Sequence, residues 1–116
     1  MRIPKSFTVF GNTVNIIEVD KLENNNYADW NDAKEEIRIA HRIKMDGEVI
    51  SLSQTQMEQS FWHEVIHAWQ WYSGKEYDEI EAQTYANMLV ELIKSSGIKI
   101  NPNIIQEPAN EIDPHF

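Results

Sequence analysis

The chain contains no cysteine, which excludes disulfide staples, thiolate metal ligands and a thiol nucleophile. Small secreted domains commonly rely on such staples, so their absence points to a reducing interior, and a cytoplasmic location is expected. Basic residues are scarce: 10 Lys and Arg face 19 Asp and Glu, giving a formal net charge of -9. Nucleic acids and anionic membranes are gripped mainly by Lys and Arg, so neither is an expected partner, and the acidity serves solubility. No apolar run approaches the ~20 residues of a membrane span. The start, Met1-Arg2-Ile3-Pro4-Lys5-Ser6, lacks the continuous apolar stretch of a signal peptide.

What is present suits one globular domain. The 116 residues are 41% hydrophobic and 25% charged, enough for a modest core and too few for two domains. Residues 6–10 and 14–19 are β-rich runs around Gly11-Asn12-Thr13, which reads as a hairpin. Residues 22–32, centred on Asn24-Asn25-Asn26, read as a loop. Residues 36–43 alternate polar and apolar, a half-buried strand with Ile37, Ile39 and Ile43 as candidates for packed faces. Asp46-Gly47 is a turn, followed by a short extended piece over residues 49–52.

The period then changes. Met57, Phe61, Val65, Ala68 and Tyr72 recur at three- and four-residue steps, predicting an amphipathic helix over residues 55–72. Ser53 with Gln56, or Thr55 with Glu58, offers a capping box at its start, and Ser73-Gly74 ends it. A second helix is predicted over residues 78–95, with Ala82, Tyr85, Ala86, Leu89, Leu92 and Ile93 inward and Gly97 closing it. Residues 1–100 should form the domain. Residues 101–116, with three prolines and no periodicity, should form a C-terminal tail. Glu107, Glu111, Asp113 and His115 in that tail are able to ligate a metal, although a loose solvated end is the simpler expectation. Strands followed by helices imply an α+β fold, a small antiparallel sheet packed by two main helices.

His63-Glu64-Val65-Ile66-His67 matches H-E-x-x-H inside a predicted helix, the context the motif demands. Residues four apart share a helix face, so two imidazoles can converge on one ion while Glu64 serves a metal-activated water as general base. Zinc suits such ligands, and a catalytic zinc takes three protein ligands and leaves one position open. The alternative is a chance pair of surface histidines. Glu79 and Glu81 are candidates for the third ligand. Glu79 aligns with Ala82, Ala86, Leu89 and Ile93, the face expected to pack on the first helix, and is favoured. Glu81, three residues after Asp78, has a capping role available. An acid in the first turn also simply complements the helix dipole, which is the plainer reading of Glu79.

These residues resemble a family. The His63 to His67 run together with Glu79-Ile80-Glu81-Ala82-Gln83-Thr84-Tyr85-Ala86 looks like the two-helix signature of gluzincin zinc metallopeptidases. The second stretch is similar to the E-x-x-A-[DN]-x-[FL]-A run of their small phage-associated and ImmA/IrrE-type members. The resemblance covers about a third of the chain. It implies a minimal zincin-like domain with Zn²⁺ on His63, His67 and Glu79, catalytic Glu64, and a protein or peptide substrate. It also implies that the strand ahead of the motif, here residues 36–43, lines the cleft and pairs with extended substrate. Gln83 stands where the family often has Asp or Asn orienting a ligand histidine, and remains able to hydrogen-bond. The twelve-residue step from His67 to Glu79 requires a tight turn.

Trp62, Trp69, Trp71 and Tyr72 are expected in the core rather than in a substrate pocket. Tyr77 and Tyr85 are candidates to stabilise an oxyanion, and His41 is expected to be an ordinary strand histidine. The expected function is zinc-dependent peptide-bond hydrolysis. A non-catalytic zinc domain holding a partner peptide in the same cleft is the alternative.

Overall fold

A computed structural model describes residues 2–98. The tail expected over residues 101–116, with its potential ligands, lies outside the described residues. Strands β1 (Ser6–Val9) and β2 (Asn12–Val19) form the expected hairpin. Its two turn residues are Phe10 and Gly11, at φ 49° and 80°, the left-handed pair that matches strand twist in a two-residue hairpin. Strands β3 (Ala28–Asn31) and β4 (Glu36–Ala40) pair antiparallel, in register Ala28↔Ile39 and Trp30↔Ile37.

The fold is α+β, and its main sheet is mixed rather than antiparallel. The order is β1-β2-β4-β3, and β2 runs parallel to β4, with Ile16 opposite Ile37. Residues 20–27 carry the chain past the site of β4, so β3 takes the edge and β4 slots between β2 and β3. Two other expectations change. The segment read as a loop contains β3, whose Ala-Asp-Trp-Asn composition is poor for a strand and is overridden by pairing to β4. The strand read over residues 36–43 breaks at His41, whose backbone N–H donates to Val19 and Asp20 carbonyls. Beyond it β5 (Arg42–Met45) and β6 (Glu48–Ser51) form a separate hairpin over Asp46-Gly47. His41 thus sits at the break, its Nε2 2.8 Å from Glu18 Oε1.

Ile37 and Ile39 are both 0% exposed. They point to one face of β4, where Val14, Ile16, Ala28, Met57 and Phe61 complete the core with them. The last two come from α1 (Gln54–Tyr72), which lies across the sheet. Its N-cap is the Ser53–Gln56 capping box: the Ser53 N–H donates to Gln56 Oε1 at 2.8 Å and the Gln56 N–H donates to Ser53 Oγ at 3.1 Å. Helix α2 (Glu79–Ser96) starts at Asp78, whose carboxylate accepts the Glu81 N–H, and ends at Gly97. It runs back along α1 and buries Ala82, Ala86 and Val90. Tyr85 and Leu92, expected inside, are 39% and 49% exposed. Packing chiefly on a single helix buries a narrower stripe than packing on a sheet, and small residues let the two backbones approach. Among the described residues no helix is long and apolar enough to cross a membrane.

Candidate metal centre

Helix α1 places His63 and His67 one turn apart on the side facing α2. The connection between the helices is short, as the spacing requires. Ser73 caps α1, Gly74 turns the chain at φ 78°, and α2 opens on Glu79 itself. Three atoms meet there. His63 Nε2 lies 2.7 Å and His67 Nε2 3.0 Å from Glu79 Oε1, and the two Nε2 atoms are 3.1 Å apart. Ligands on a tetrahedral ion at about 2.0–2.1 Å stand roughly 3.3 Å from one another, so this trio needs to open by roughly half an ångström or less to surround such an ion. His63, His67 and Glu79 therefore form a group able to hold a metal ion.

Both imidazoles are held from behind. His63 Nδ1 is 3.0 Å from Gln83 Oε1, and His67 Nδ1 is 2.8 Å from Gln70 Oε1. Such contacts to the non-ligating nitrogen orient metal-binding histidines. Glu81 does not reach the trio. Its carboxylate pairs with Lys75 at 2.9 Å and accepts from Gln70 Nε2 at 2.8 Å. Its expected return to the Asp78 N–H is replaced by Gln70 Oε1, which accepts that N–H at 3.3 Å. No known protein family, curated protein or solved structure matches the chain.

Glu64 is 9% exposed and lines the groove beside the trio. Burial raises its pKa from 4.5 to about 7, against the pull of the His67 charge and with help from Glu79 and Asp29. Burial also works upward on Glu79, but hydrogen bonding to His67 and His63 outweighs it, and the Glu79 pKa falls below its ordinary value. Two carboxyls lining one groove thus shift in opposite directions, Glu79 towards its ionised form and Glu64 towards its protonated form.

The shift on Glu64 has a consequence for folding. Between about pH 4.5 and 7 the folded, metal-free chain holds a proton that the unfolded chain has released, so stability falls as pH rises through that window. At ~1.4 kcal/mol per pH unit the full penalty, reached above the window, is on the order of 3 kcal/mol. Glu64→Gln in chelator should therefore be more stable than the parent by roughly this amount at pH 8, and about equal to it at pH 4.5. Urea denaturation at the two pH values checks this; equal stabilities at both would remove the burial penalty.

The groove at the trio has a volume of about 620 Å³ and is lined by His63, Glu64, Glu79 and Gln83, with Gln56, Gln59 and Ser60 of α1 and residues 25–28 opposite. The strand bordering it is β3, not the segment 36–43: β4 lies inside the sheet. The Tyr27 carbonyl accepts from the Ala40 N–H at 2.9 Å. By antiparallel alternation the backbone groups of Ala28 and Trp30 then face away from β4.

Of the two tyrosines, Tyr77 comes to the site. Its ring stands edge-on to His67 with centroids 5.4 Å apart. Its hydroxyl accepts from Trp30 Nε1 at 3.0 Å and donates to Asp32 at 3.1 Å. Tyr85 is exposed on α2 and does not line the groove. Trp62 and Tyr72 pack against the core as expected. Trp71 does not: it is 47% exposed and stacks on Tyr77 with ring centroids 6.4 Å apart. Gln70 went unremarked in the sequence. Its one local signal is its place three residues after His67, on the same helix face.

Proposed function

We propose that the protein is a zinc-dependent metallopeptidase of the gluzincin type, hydrolysing a peptide bond with Glu64 as general base. The observation that carries this reading is the convergence of His63, His67 and Glu79 on one point beside a buried carboxyl that lines the adjoining groove. Zinc, when bound, supplies a Lewis acid that lowers the pKa of water and polarises a carbonyl. The remaining tasks fall to the chain. The Glu64 carboxylate takes the proton of the attacking water and passes it to the amine that leaves as the C–N bond breaks. Its environment holds it near neutrality, where both transfers are accessible. The outer edge of β3 offers the Ala28 and Trp30 backbone groups to a substrate strand, which fixes the scissile bond by main-chain hydrogen bonds.

A buried carboxyl with a raised pKa favours the catalytic reading over a purely structural zinc domain, which has no use for it. Incubation with an unstructured polypeptide tests the proposal. Cleavage should occur with zinc, cease when zinc is stripped by chelation, and return when zinc is restored. A zinc-loaded chain that leaves such polypeptides intact overturns the enzymatic reading.

A further inference from the structure

Gln70 is 0% exposed, and burying a side-chain amide is costly unless its polar atoms are satisfied. Its partners fix which way the amide points. The nitrogen donates to Glu81 Oε1 at 2.8 Å and to the Asp78 carbonyl at 3.3 Å, and both of these only accept. Glu81 is itself pinned by Lys75 Nζ, at 2.9 and 3.1 Å from its two oxygens. The amide oxygen accepts the Asp78 N–H at 3.3 Å and faces His67 Nδ1 at 2.8 Å. An oxygen so placed cannot donate, so Nδ1 must carry the proton.

We propose that Gln70 is a positioning residue for two metal ligands at once. Through its oxygen it keeps a proton on His67 Nδ1, which leaves Nε2 as the nitrogen turned to His63 and Glu79. Through its bonds to Asp78 and Glu81 it pins the first turn of α2 to α1, which sets where Glu79 arrives. The glutamine thus does on the α1 side what Gln83 does for His63, and adds a clamp between the helices. The inference rests on the metal reading of the trio, but its first half concerns the ring alone.

The test uses ¹⁵N-labelled full-length protein and two variants, Gln70→Leu and Glu81→Leu. The first replaces the amide by an apolar side chain of similar size. The second loosens the amide from outside the buried position and covers the case in which Gln70→Leu does not fold. Imidazole ¹⁵N spectra of the chelated protein, recorded near pH 9 to favour neutral rings, report the tautomer. His67 should be Nδ1-protonated in the parent and should lose that preference in either folded variant. Zinc titration should then show affinity reduced about 10–100-fold in Gln70→Leu, and less in Glu81→Leu. A His67 that keeps the Nδ1 proton in both variants, or zinc affinity unchanged in a folded Gln70→Leu, overturns the proposal. The tautomer is read without metal, so it decides the role of Gln70 even if the parent chain takes up no zinc, a result that overturns the metal reading alone.

Discussion

Glu64→Gln should lower peptide cleavage by about 10²–10⁴-fold, the ordinary contribution of a positioned general base, while leaving zinc content at the parent level. Two features separate these effects. Glu64 does not belong to the trio of ligand atoms, so the amide withdraws no ligand. It does line the groove at the trio, with its pKa raised to about 7 by burial, and an amide at the same place cannot accept the water's proton. The substitution also removes a buried charge, so lost activity would not trace to unfolding. Turnover unchanged in Glu64→Gln would take Glu64 out of the chemistry. Loss of zinc in that variant would show that its carboxylate helps hold the ion.

Removing a ligand should have the opposite signature, with metal and activity lost together. His63→Ala, His67→Ala and Glu79→Ala each delete one of three converging atoms, and each should weaken zinc by more than the ~10–100-fold associated with partners that only orient a ligand. Glu81→Ala is the internal comparison. It lies one turn from the same helix start but contacts Gln70 and Lys75 rather than the imidazoles. Its loss should cost less affinity than that of Glu79, and a modest part of the stability through the helix start. Isothermal titration of the four variants measures the order. Equal losses for Glu79→Ala and Glu81→Ala would contradict the arrangement of the first turn of α2.

Much of the candidate site was legible because it depends on helical periodicity. The i and i+4 histidines, the cap at Ser53 and the alignment of Glu79 with Ala82 and Ala86 are local patterns, and a short connection between two helices leaves few ways to join them. The sheet was harder. Strand β3 has four residues, two of them Asp and Asn, and exists by virtue of its register with β4, which no local pattern encodes. The parallel pairing of β2 with β4 follows from where the chain returns after residues 20–27, again a non-local fact. Ile37, Ile39 and Ile43 keep one parity across His41, so the hydrophobic period alone does not reveal the break where the chain leaves the sheet. Gln70 was overlooked for a related reason. Its neighbour His67 is close in sequence, but its role depends on Asp78 and Glu81 arriving from the next helix.

In the proposed site this chain holds zinc through His63, His67 and Glu79. Elemental analysis of the full-length protein, purified without added metal and dialysed against zinc-free buffer, tests it most directly alongside His63→Ala and His67→Ala prepared identically. Near one zinc per chain in the parent, and close to none in either variant, is the predicted result. A parent that carries no zinc and cannot be loaded to one equivalent, or zinc retained when both histidines are replaced, would contradict it.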